Sequence, residues 1–94
     1  MRALEVFVNG QRACVAGVGR EGDLTATVDW AGKGGREDVF MHVGGTDAAT
    51  NEFFEWAVPR IGVGSEITIR VVEADAVDPP AKRTPAAPPE AEDA

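Results

Sequence analysis

Apolar and polar residues alternate with a period of two through most of residues 1–75, most cleanly over Leu24-Thr25-Ala26-Thr27-Val28-Asp29-Trp30. Successive side chains of an extended chain point to opposite faces, so Leu24, Ala26, Val28 and Trp30 share one side and Thr25, Thr27 and Asp29 the other. A strand over 3–8 precedes Asn9-Gly10, a pair suited to a type I′ hairpin turn because both residues tolerate positive φ. Pairing outward from that turn sets Val8 opposite Gln11, Phe7 opposite Arg12, Val6 opposite Ala13, Glu5 opposite Cys14 and Leu4 opposite Val15. Leu4, Val6 and Val8 then share a face with Ala13 and Val15.

Residues 31–36, Ala-Gly-Lys-Gly-Gly-Arg, read as a flexible connection. The next strand, 38–43, turns Val39, Met41 and Val43 one way and Phe40 and His42 the other. Apolar content on both faces means that this strand is central or that its second face meets another chain. Residues 47–57 allow two readings. Thr46 or Asp47 would cap a short helix, whereas a loop over 47–51 followed by a strand over 52–58 accommodates Phe53, Phe54 and Trp56. The strand is preferred, since Pro59 stops a helix of barely two turns. A last strand covers 66–73. About six strands with glycine-rich turns predict an all-β domain, a small antiparallel β-sandwich or open barrel.

Residues 76–94 hold five of the six prolines with small and acidic residues, a composition that predicts a disordered tail behind a domain of residues 1–75. A domain of that size buries roughly 60% of the surface its unfolded chain exposes. One cysteine forms no internal disulfide, and one cysteine with one histidine falls short of a structural zinc site. No cofactor is implied, and self-association is the remaining means of extending the core.

The net charge of −7 divides between twelve acids and seven bases in 1–75 and four against two beyond. With no basic stripe, nucleic acid and anionic membrane surfaces are poor partners. No signal segment or apolar run of membrane-spanning length is present, and a lone thiol suits a reducing compartment, so a cytoplasmic location is expected. Seven arginines against two lysines, with abundant Ala, Gly and Val, fit the coding bias of a GC-rich bacterium.

Candidate chemistry is sparse. Gly17-Val18-Gly19-Arg20-Glu21-Gly22 matches the letters of a dinucleotide fingerprint, but a period-two strand follows where that motif requires a helix N-terminus. Cys14 and His42 lie in separate strands with no third group to orient them, and Cys14 reads as a small core filler. Glu52 and Glu55, and Glu37 beside Asp38, give no sign of a carboxylate pair across a cleft. The cluster Phe53, Phe54 and Trp56, with Phe40 and His42 on the neighbouring strand, is the strongest candidate for an interaction surface. Three aromatics within four residues set at least one ring off the core face.

Val43-Gly44-Gly45-Thr46-Asp47, Thr50-Asn51-Glu52, Trp56, the run 64–75 and Asp78-Pro79-Pro80 together resemble a group of small uncharacterised bacterial proteins. The resemblance covers the second half of the chain and implies a small standalone accessory domain, with no activity or site residues. The expectation is a non-catalytic accessory or protein–protein interaction module, immunity-like by analogy. It would bind a protein partner or a second copy of itself through Phe40, His42, Phe53, Phe54 and Trp56. The alternative is a small-ligand or carbohydrate-binding domain that stacks its ligand on Trp30 or Trp56.

Overall fold

The structure is a computed structural model and describes residues 1–86. Seven strands follow in chain order: β1 (Arg2–Val8), β2 (Gln11–Ala16), β3 (Gly22–Lys33), β4 (Arg36–Asp47), β5 (Glu52–Trp56), β6 (Ile67–Glu73) and β7 (Lys82–Pro85). They form two antiparallel sheets, of order β2-β1-β6 and β3-β4-β5-β7. The molecule is all-β, with no helix among the described residues, and it is not a closed barrel.

The Asn9-Gly10 turn has the expected geometry, with φ of 52° and 82°. The register it launches holds for only two pairs. Val8 faces Gln11 and Phe7 faces Arg12, but a β-bulge then leaves Ala13 unpaired, so Val6 faces Cys14 and Leu4 faces Ala16. A bulge inserts one residue into one strand and transfers every later side chain to the other face. Cys14 and Ala16 therefore point into the core with Val6, where the simple register would have sent Ala13 and Val15.

A second correction concerns residues 31–36. They are not a flexible connection: β3 runs on to Lys33, β4 begins at Arg36, and Gly34-Gly35 alone make the turn, with φ of 60° and 80°. Two adjacent residues at positive φ are what a tight right-twisted hairpin requires, and glycine adopts that conformation without strain. The result is a hairpin of two twelve-residue strands lying against a sheet whose central strand has seven.

Residues 47–51 form the loop before β5, closed by Asn51 N–H donating to Asp47 O at 2.8 Å and Ala49 N–H donating to the Asp47 carboxylate at 2.9 Å. The chain thus enters 52–56 as a strand. β4 is central in its sheet, between β3 and β5.

The folded part also runs past Asp75. Residues 74–81 cross between the layers, and β7 pairs with β5, setting Thr84 opposite Phe53 and Lys82 opposite Glu55. The Asp78 N–H donates to Val15 O at 2.9 Å, and the Asp78 carboxylate accepts the Val15 N–H at 2.9 Å. Between Ala74 and Ala86 proline, which interrupts ladders, occurs only in the crossing and as the last residue of β7. The reading of a tail otherwise falls on residues 87–94, which lie outside the described residues.

Core side chains come from four strands and one connection: Val6 and Val8, Cys14 and Ala16, Met41 and Val43, Phe54 and Trp56, with Val18 from the β2–β3 link. Val6 and Val43, one from each sheet, are fully buried. The Phe54 and Trp56 rings meet edge to face with centroids 5.9 Å apart, a favoured aromatic arrangement.

Candidate functional site

Strand alternation distributes the five aromatic-cluster residues over both faces of the second sheet. Phe54 and Trp56 point inward and are buried. The Trp56 Nε1–H donates to Asp78 O at 2.8 Å, and the Arg83 guanidinium stacks over the Phe54 ring, 4.8 Å from its centroid. Phe40, His42 and Phe53 point outward. Phe40 and Phe53 are each about half exposed, but Phe53 stands opposite Thr46, six residues along β4 from Phe40. The structure does not gather these rings into one patch.

Between them, His42 Nε2 and Glu55 Oε2 lie 3.1 Å apart, both partly exposed. The imidazole lies over Gly44, where a Cβ would come 2.8 Å from both the ring and the Phe54 carbonyl. Glycine there lets the histidine reach across to β5. Cys14 points into the space between the sheets, whereas His42 projects from the outer face, so the fold holds the thiol and the imidazole apart. Burial, and secondarily the Asp78 carboxylate, push the Cys14 thiol above its ordinary pKa, opposite to the activation a nucleophile needs. No group of three or more His, Cys, Asp or Glu able to hold a metal occurs among the described residues.

The unexpected surface lies on the core face itself. Val28 stands opposite Met41, and Trp30 opposite Val39, so both side chains emerge on the side that forms the core. Yet Val28 is 49% exposed and Trp30 66%, because the hairpin extends beyond the shorter first sheet. The Trp30 ring lies across Gly32, and its Nε1–H donates to a Glu37 carboxylate oxygen at 2.6 Å, which fixes the ring with one face open. Beside it an open groove of about 590 Å³ runs between Val39, Met41, Val58 and Ile61, with Glu37 and Arg60 at its rim.

The first sheet repeats the pattern. Ile69 and Val71 of β6 pair with Val6 and Leu4, so they share the core face, but Val71 is 73% exposed. The inward faces of two of the four edge strands, β3 and β6, are thus left partly uncovered. Sequence reading missed this surface, although its signal was present. Recognising Gly34-Gly35 as a two-residue turn gives strand lengths of twelve against seven, and the excess cannot be covered.

No helix among the described residues is long and apolar enough to cross a membrane. No family model, curated protein or solved structure matches the chain.

Proposed function

We propose that this protein is a non-catalytic protein–protein interaction module that self-associates through core-face apolar side chains its own sheets leave uncovered. The observation that carries the reading is the pair Val28 and Trp30: they stand on the face that forms the core, at register positions beside Val39 and Met41, yet remain open to solvent. Exposed apolar side chains continuous with a core mark association surfaces, and tryptophan is enriched among the residues that dominate binding energy. The outward Phe40 and Phe53 contribute further apolar area on the opposite face. A reducing cytoplasm suits the single buried thiol.

The test is light scattering of the purified chain over a wide concentration range. The reading expects mass to rise with concentration, and Trp30→Asp to suppress the rise without loss of strand signal in circular dichroism. A mass that stays at one copy throughout would overturn it.

A second reading, carbohydrate stacking, is favoured by one observation: the Trp30 ring is held by Glu37, with an open face, near a groove also lined by Glu37, Asp38 and Arg60. Saturable quenching of tryptophan fluorescence by a simple sugar, lost in Trp30→Ala, would support it. Trp56, buried in the core, offers no platform.

A further inference from the structure

We propose that β3 is a homodimerisation strand, pairing antiparallel with β3 of a second copy about a two-fold axis through Val28, so that two four-stranded sheets become one of eight. This inference rests on the self-association reading above and names its interface.

The free edges of the two sheets are unequal. The outer edge of β2 is occupied at Val15 by Asp78, and β7 has only four residues and ends in a proline. β6 has seven residues. β3 has twelve, contains no proline, and its outer edge receives no backbone hydrogen bond from the described residues. Every second residue of β3 therefore presents an unpaired N–H and C=O. Natural proteins blunt such edges with proline, bulges, brevity or charged side chains, and of these β3 carries only the charges of Asp23, Asp29 and Lys33.

The occupant is a second copy because the strand is complementary to itself when reversed. Antiparallel pairing about Val28 sets Asp23 opposite Lys33 of the other copy, twice by symmetry, and Thr27 opposite Asp29. Thr27 Oγ1 already donates to Asp29 within one chain, at 3.1 Å. On the core face Val28 meets Val28, Ala26 meets Trp30, and Leu24 meets Gly32, so large side chains fall beside small ones. The Trp30 ring, lying across Gly32, would reach Leu24 of the other copy, a residue packed at the margin of that copy's core. Moving the axis to Asp29 would set carboxylate against carboxylate. Moving it to Thr27 separates Lys33 from Asp23 and sets it opposite Glu21, outside β3.

The experiment uses the full chain in sedimentation equilibrium, together with oxidative cross-linking. A dimer is expected, with Asp23→Lys or Lys33→Asp each raising its dissociation constant about tenfold and the double exchange in one chain restoring it. Val28→Cys should give a disulfide-linked dimer on mild oxidation, since only a residue opposite itself brings its own Cα within bridging distance, whereas Thr27→Cys should not. Val28 is half exposed in the single chain, so neither variant threatens folding, and circular dichroism verifies this. A dimer indifferent to all four substitutions would overturn the β3 interface while leaving self-association standing. Cross-linking through Thr27→Cys but not Val28→Cys would overturn the register. A single-copy mass throughout would overturn both this inference and the reading beneath it, leaving the edge for a strand of a different protein.

Discussion

The indole of Trp56 donates to the backbone carbonyl of Asp78 at 2.8 Å, and through that one residue the two sheets are fastened along one side. Asp78 also accepts from and donates to the backbone of Val15 in the other sheet. Trp56 and Val15 are both buried, so the bonds lie where water replaces them poorly.

Replacing Asp78 by alanine removes the carboxylate and leaves the buried Val15 N–H unpaired, at an expected cost of about 1–3 kcal/mol. Trp56→Phe, which keeps an aromatic ring but loses the donor and some packing, is expected to cost about the same, and the double variant less than the sum because both act on one fastening. Urea unfolding followed by circular dichroism measures all three. Full additivity would show that Asp78 does not join the layers as described.

Arg83 donates to the Glu52 carboxylate at 2.5 Å, and this bond above all holds the Glu52 carboxyl below the ordinary glutamate range. Because the folded value lies below the unfolded one, the contribution is complete above the unfolded value and is lost as pH falls through the folded value. A carboxyl-carbon NMR titration should place the Glu52 midpoint low in the wild type and return it upward in Arg83→Met. Glu73 should behave alike, because the terminal ammonium donates to it at 2.9 Å and lowers its pKa, so acetylating the N-terminus should raise the Glu73 midpoint.

The Cys14 thiol, raised by burial and next by Asp78, should stay protonated and unlabelled by a thiol reagent at neutral pH until the chain unfolds. The sign at high pH is the reverse of the glutamates. The unfolded thiol ionises first, so stability declines as pH rises from the ordinary thiol value towards the folded one, and Cys14→Ala removes that decline. Rapid stoichiometric labelling of the native protein would contradict the burial.

Gly44→Ala should cost about 1–3 kcal/mol, since the added methyl meets the His42 ring and the Phe54 carbonyl. In a His42→Ala background part of that loss should return, because the ring no longer occupies the space. His42→Ala by itself should cost less than about 1 kcal/mol, as the pair with Glu55 is partly exposed. Thermal melts of the three variants decide the order.

The existence of every strand but β7, and the division of β4 into two faces, were legible in the sequence, because alternation is imposed by the backbone itself. In the first hairpin a single residue defeated the reading. Ala13 carries no mark of a bulge, yet that one insertion exchanged Cys14 for Ala13 as the core residue. Residues 31–36 looked like a linker because three glycines suggest freedom, whereas two of them serve a tight turn and the third lies beneath the Trp30 ring. β7 was invisible because Lys82-Arg83-Thr84-Pro85 has no apolar pattern. It is held by backbone pairing to β5 and by the stacking and ion pair of Arg83, which only the folded partner reveals. Of the proposed interaction residues, Phe40, His42 and Phe53 face outward, and Phe54 and Trp56 went inside, as alternation along one strand requires.

The late position of Asp78 orders events during synthesis. β1 finds β6 across some sixty residues, and Trp56 waits for a carbonyl that lies beyond β6. An emerging chain therefore carries the Trp56 indole without its acceptor until Asp78, 22 residues later, has been added, and this small domain should acquire its shape all at once rather than piece by piece.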